Sequence, residues 1–330
     1  MTNSPVLNEI NREKLKEVLA NGYPMSKAAL AEMTGLDLPL VIRLVDELVK
    51  TREIQAVGTQ SAGKGKSCRV YQYNPDCRSV IGLMLQGQTL DWFLLDSLGM
   101  TKNQGQIEVE SDRQETMRLL LQTMRRCEPS LCCFALGVDF EAEGEADDDL
   151  LKELEMASGL KGIIGSRMHF SAEGNGQRLR LKENNSLISF GFGQSGLSCS
   201  FVMNGKAQKD RLSRADEADS LPELHEENPS AELLQAQLQW IVNRVLAASP
   251  DVVVFYAHPF FEQHKEEILA GLKQRYNTLP VPKIVTAENF QLDYEIGLSR
   301  QAMALLGDSK IGRFKLDNGL NHWGQEKAAR

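Results

Sequence analysis

The chain has 330 residues, 42% hydrophobic and 25% charged, with a net charge of −8. These are globular values for a length that holds two or three units with cores of their own, which excludes a disordered or fibrous chain. With no apolar run near membrane-spanning length and no basic-then-apolar pattern in MTNSPVLNEINREK, a cytoplasmic protein without a membrane partner is expected.

The charge is unevenly spread. Residues 1–80 hold 11 Lys or Arg against 9 Asp or Glu, net +2, which leaves 26 against 36, net −10, for the rest. Any DNA-facing part therefore belongs at the front. From Asn11 to Asn21, Leu15, Val18 and Leu19 fall at helical spacing, and Gly22 and Pro24 end that helix. Ser26 is an N-cap for a short helix through Met33, Thr34-Gly35 makes a turn, and a third helix opens at Asp37. Ala28, Leu30, Ala31, Leu36, Val41, Leu44, Val45 and Leu48 supply the shared core of this helix pair.

EIQAVGT, the tip SAGKGKS and CRVYQYN then read as two strands and a loop. This order makes residues 1–76 a winged helix-turn-helix, although any three-helix bundle with a hairpin shows the same pattern. On double-stranded DNA the third helix would enter the major groove. Arg43 is the candidate base reader, with Lys27, Lys64, Lys66 and Arg69 as the other DNA-binding candidates. The early positions Leu38, Pro39, Leu40 and Ile42 offer almost no hydrogen-bonding groups to base edges.

Residues 78–99 read as two apolar strands around Gln86-Gly87-Gln88, followed by a polar strand and a helix around ETMRLLLQTMRR. LCCFALGVDF is a short apolar run suited to a buried parallel strand. After a helix near Leu150 to Ala157, residues 186–206 repeat the pattern of strand, Gly-rich turn and strand. A long helix (232–248), the strand DVVVFYAH, a helix from Phe261 to Arg275, the strand KIVTA and a last helix from Tyr294 to Leu306 complete an α/β chain. The six cysteines, Cys68, Cys77, Cys127, Cys132, Cys133 and Cys199, include no C-x-x-C pair and read as buried, reduced thiols.

The segments SKAALAEMTGLDLPLVIRLVDELV, VIGLMLQGQTLDWFLLDSLG and ISFGFGQSGLSCSFVMNGK, in this order and spacing, resemble the ROK family of repressors, open reading frames and sugar kinases. The resemblance implies an actin-like (ribonuclease H-like), two-lobed fold behind a winged helix. Residues 77–145 would form the first lobe and 146–330 the second, with the C-terminal helix packing back on the first. It also implies a dimer or a tetramer. A homodimer is expected, because a winged helix on one half-site gains from a symmetric partner. A small-molecule effector, a sugar or a derivative, stays an open partner.

A phosphotransferase of this fold needs carboxylates for the magnesium nucleotide and for the sugar hydroxyl proton. Met84 stands where the family carries the first acid, and Arg167 and His169 stand in the segment of the second. Arginine keeps its proton and cannot be a base, whereas His169 could accept one. Gly191 and Gly193 keep the glycines of the second phosphate-facing turn, but turn geometry alone also calls for glycine. Arg167, His169, Gly191 and Gly193 are thus candidates for a ligand cleft rather than for catalysis. The family's zinc segment would fall at 205–230, which has His225 and no cysteine, and the acids from Glu141 to Asp149 read as a solvated run. Neither a metal nor a cofactor is expected. The reading is a DNA-binding regulator with an inactive kinase-like domain, against a protein-interaction scaffold whose front unit no longer reads DNA.

Overall fold

The computed structural model describes residues 5–20, 23–61, 67–109, 112–127, 130–138, 145–182, 184–193, 196–208, 231–275 and 281–306. The amino-terminal unit runs α1 (Pro5–Ala20), β1 (Met25–Ser26), α2 (Lys27–Thr34), α3 (Leu38–Lys50), β2 (Ile54–Ser61) and β3 (Ser67–Tyr73). Helix α1 starts six residues before the expected Asn11, because Pro5 suits the first helical turn, where its missing N–H costs nothing. Ser26 caps α2 by accepting from the Ala29 N–H at 3.2 Å, and Gly35 ends that helix in the left-handed region at φ 68°. Strand β3 lies between β1 and β2 and is antiparallel to both.

Leu15, Leu19, Leu30, Val41, Leu44, Val45, Leu48 and Ile54 make the core of this unit. Ala28, expected inside, is exposed, because an eight-residue helix buries one i, i+4 stripe and here that stripe is Leu30 and Thr34. Leu98, from the far side of the chain, also enters this core, and the Tyr73 hydroxyl donates to Ser97 Oγ at 3.0 Å. The front unit is therefore seated on the next one through packing and not only through the chain.

Glu53, just past α3, ties α1 to the hairpin. Its 13% exposed carboxylate accepts from Arg12 at 2.7 Å, Lys16 at 2.8 Å and Thr51 at 2.7 Å. Burial works to raise its pKa, but the bonds from Lys16 and Thr51 and the charges of Lys16 and Arg12 outweigh it and hold the carboxyl below the usual glutamate range. A carboxylate depressed on folding stabilises the fold above its unfolded pKa and loses that contribution as pH falls through the folded value. Glu53→Gln is expected to cost about 2 kcal/mol at neutral pH and to flatten the acid limb of stability, read as the urea midpoint at neutral and acidic pH. An unchanged midpoint at neutral pH would show that the cluster is solvent-screened.

The remainder contains two five-stranded sheets. The first has β4 (Ser79–Gln86), β5 (Thr89–Asp96), β6 (Thr101–Glu108), β7 (Leu131–Val138) and β8 (Lys161–Ser166) in the order β6-β5-β4-β7-β8. The second has β9 (Ser186–Gly193), β10 (Gly196–Met203), β11 (Lys206–Ala207), β12 (Val252–Tyr256) and β13 (Lys283–Ala287) in the order β11-β10-β9-β12-β13. In each sheet the first three strands are antiparallel neighbours and the last two are parallel to the first. The chain thus builds the same 3-2-1-4-5 sheet twice, the duplicated plan of an actin-like fold. The expected boundary at 145/146 cuts through the first sheet: β8, the short Gly-containing KGIIGS, lacked the apolar length that marks a buried strand, yet it pairs with β7.

Helices α4 (Arg113–Arg126) and α5 (Glu145–Ser158) flank the first sheet, and α7 (Ala231–Ala248), α8 (Pro259–Gln263) and α9 (Lys265–Arg275) belong to the second. The single helix expected from Phe261 to Arg275 is two, broken at His264 (φ −107°). Two further helices join the lobes. Helix α6 (Arg167–Arg178) follows the first sheet and packs on the second, while α10 (Phe290–Ala304) follows the second and packs on the first. The last helix begins four residues before the expected Tyr294. No disulfide joins the six cysteines; Cys133 is buried and Cys132 is exposed, so burial of all six does not hold. No helix among the described residues is long and apolar enough to cross a membrane.

Candidate functional site

Helices α2 and α3 meet across Gly35, and the burial of Val41, Leu44, Val45 and Leu48 fixes which side of α3 faces out. That outer side carries Leu38, Pro39, Ile42, Arg43 and Asp46, all exposed and at helical positions 1, 2, 5, 6 and 9. Lys27, at the start of α2, donates to Asp46 at 2.5 Å and lies 5.7 Å from the Tyr71 ring centroid. Its charge is thus shared with α3 and is not turned wholly to solvent. Arg43 donates to Glu47 at 3.0 Å and to Asn8 of α1 at 3.0 Å, the second a tie that no spacing marks in advance. Arg69 is exposed on β3, opposite Thr59 of β2. Lys64 and Lys66 lie outside the described residues.

The second candidate region is the junction of the lobes. Arg167 and His169 occupy the first turn of α6, capped by Ser166, whose Oγ accepts from the His169 N–H at 3.2 Å and lies 2.9 Å from its Nδ1. The Arg167 guanidinium stacks over Phe290 at 5.0 Å and Tyr294 at 5.6 Å, on α10. Cation–π contact holds it as a wedge between two helices. Gly191 lies beside the same turn: a Cβ there would sit 3.3 Å from Met168 Sδ, so its lack of a side chain lets α6 approach the second sheet. Gly193 ends β9 and pairs with Gly196 across the turn.

Met84, in the position of the family's first acid, is 4% exposed and packs with Phe93, Phe170, Tyr294 and Leu298 between the first sheet and α10. Beside it, Gly137 of β7 admits Tyr294 so closely that a Cβ would fall 1.8 Å from its hydroxyl. Gln291 and Glu295 of α10 and Gln86 of β4 form a short chain of hydrogen bonds at 3.2 and 3.4 Å above this packing. On the second lobe, the Phe192 ring stacks on His258 with centroids 4.1 Å apart, flanked by Phe260 and Phe261. His258 caps α8, its Nδ1 accepting from the Phe260 N–H at 3.2 Å, and burial holds its pKa below the usual range. At the positions of Met84 and Arg167 neither family acid is present, and aromatic rings meet beside the second turn.

Sequence reasoning missed the polar group under α6 and α10. Asp293 is fully buried and accepts from Asn175 at 2.9 Å, Tyr256 at 3.1 Å and Arg178 at 2.7 Å. Burial works to raise its pKa and wins over these partners. Glu173, also buried, accepts from the Ala207 N–H at 2.7 Å and from Gln301 at 2.6 Å. The only trace of this site in the sequence is a pair of glycines, Gly174 and Gly176, inside a helix. Among the described residues no group of three or more His, Cys, Asp or Glu is placed to hold a metal. His225 and the acids 141–144 lie outside those residues.

No protein-family model matches the chain, and no curated protein matches it. Solved structures do. A ROK family transcriptional regulator, described as a homolog of the E. coli MLC protein, superposes with a TM-score of 0.53 at 16% identity, covering 94% of this chain and 99% of its own. A ROK hexokinase from Thermus thermophilus gives a TM-score of 0.49 at 14% identity, covering 69% of this chain and 100% of its own. The chain has the actin-like, two-lobed fold of ROK family proteins, carried behind an amino-terminal helical unit.

Proposed function

We propose that this protein is a cytoplasmic DNA-binding transcriptional regulator, a repressor. Residues 1–76 act as a winged helix-turn-helix, and the lobes serve homodimerisation and the sensing of a small molecule without catalysing phosphoryl transfer. The observation that carries the reading is the outer side of α3, which stands exposed after a two-helix turn and beside a hairpin bearing Arg69. A symmetric partner would present a second copy of that helix to a second half-site. Overlap with a regulator structure over 94% of the chain agrees with this.

The reading without phosphoryl transfer is supported at the two positions where a kinase of this fold carries its acids. Met84 is packed against α10 and Arg167 over two rings, so neither of these two positions supplies a carboxylate to take a hydroxyl proton or to hold the metal of a nucleotide. A coupled assay with a panel of hexoses and amino sugars should show no turnover above buffer. Turnover would return the protein to the kinases. A scaffold that binds protein instead of DNA is favoured by one observation, the 44% and 41% exposure of Leu38 and Ile42.

A further inference from the structure

Leu38 and Ile42 stand on successive turns of α3 and, with Pro39, make an apolar strip on the side that the helix-turn-helix presents outward. The polar groups of α3 around the strip already have partners. Asp46 is bonded to Lys27, and Arg43 is held by Glu47 and Asn8. The two carboxylates within α3, Asp46 and Glu47, are therefore each paired with a cation of the unit, which leaves Asp37, ahead of Leu38, as the exposed acid at the start of the strip.

The setting argues for nucleic acid over an apolar protein surface. Residues 1–80 are net +2 against −10 for the rest of the chain, Lys64 and Lys66 fall between β2 and β3 in the sequence, and Arg69 is exposed on β3. Such charges suit a phosphate backbone. The major groove offers an apolar strip one apolar partner, the C5 methyl of thymine, whereas guanine and adenine are read by donors and acceptors that Leu38 and Ile42 lack.

We propose that Leu38 and Ile42 read thymine methyl groups, so that the site is specified by apolar contact to T·A pairs and not by hydrogen bonds to guanine. This rests on the regulator reading above. Burying one methyl is worth about a fourfold change in affinity. Arg43, tied to Asn8 and Glu47, would contribute to the choice of base only after releasing them.

The test uses the 330-residue chain and duplexes selected from a random-sequence pool at low salt. The best duplex is remade with deoxyuridine for thymidine, one position at a time, which removes the methyl and keeps the base pairing. Affinity should fall about fourfold at each contacted position, and the double variant Leu38→Ala, Ile42→Ala should bind both duplexes equally while keeping the salt dependence. Alanine is a good helix former at exposed sites, so the variant should fold. Salt-sensitive binding with no thymine enrichment, with no loss on uridine, or with a loss that survives in the double variant overturns the methyl reading alone. No salt-sensitive binding to any duplex overturns the regulator reading with it and leaves the strip to a protein partner.

Discussion

Replacing Gly174 or Gly297 with alanine is expected to destabilise the chain by about 3 kcal/mol. The two glycines are where α6 and α10 cross. A Cβ on Gly174 would lie 1.9 Å from the Asp293 carbonyl oxygen, and one on Gly297 would lie 1.9 Å from that of Phe170. Both obstacles are backbone, so neither can turn aside, and the helices would have to separate. Separation would also pull Asp293 from Asn175 and Arg178, leaving a buried carboxyl without those partners. Gly205→Ala is the control: its φ of 72° disfavours alanine, but nothing lies within 4 Å, so about 1 kcal/mol is expected. Urea midpoints equal for Gly174→Ala and Gly205→Ala would show that the crossing is loose.

The crossing shows what the sequence could not display. Each sheet begins with a hairpin whose strands alternate or run apolar around a glycine turn, and both hairpins, 79–96 and 186–203, were legible at once. So were Ser26 and Gly35, because capping is a local chemistry with local markers. That the two sheets share one strand order was not legible, since it depends on pairings between strands far apart, and β8 gave almost no pattern of its own. The exchange of α6 and α10 between lobes is likewise a long-range fact. Residues that look unremarkable singly, such as Asp293, Tyr256 and Asn175, became a site only when three elements met.

The candidate site was legible in part. The sequence marked Met84 and Arg167 as departures from the family's acids, and in the structure one packs in the core and the other over aromatic rings. It offered Arg43 and Lys27 as DNA contacts without showing that their charges are shared with Glu47, Asn8 and Asp46. Such i, i+4 and cross-helix pairs are common on surfaces and leave no distinctive spacing. On the regulator reading, with these two cations engaged, more of the attraction to a phosphate backbone would fall to the segment between β2 and β3.

Changing Lys64 and Lys66 together to alanine is therefore expected to weaken binding to all duplexes alike and to reduce the slope of log affinity against log salt by about two. Phosphate contacts carry little sequence information, so preference among duplexes should stay the same. The pair falls between β2 and β3 in the sequence, and the described ladder of those strands runs from Ile54↔Tyr73 to Ser61↔Ser67, so the fold should not suffer. A variant with the parent slope would place the phosphate contacts elsewhere on the unit.

The most direct test of DNA binding is an anisotropy titration of the unaltered chain with labelled duplex DNA at about 50 and about 200 mM salt. The expected result is saturable binding that weakens steeply at the higher salt. The contradicting result is no binding at the lower salt, or binding indifferent to salt, either of which would make the exposed side of α3 a surface for protein and not for DNA.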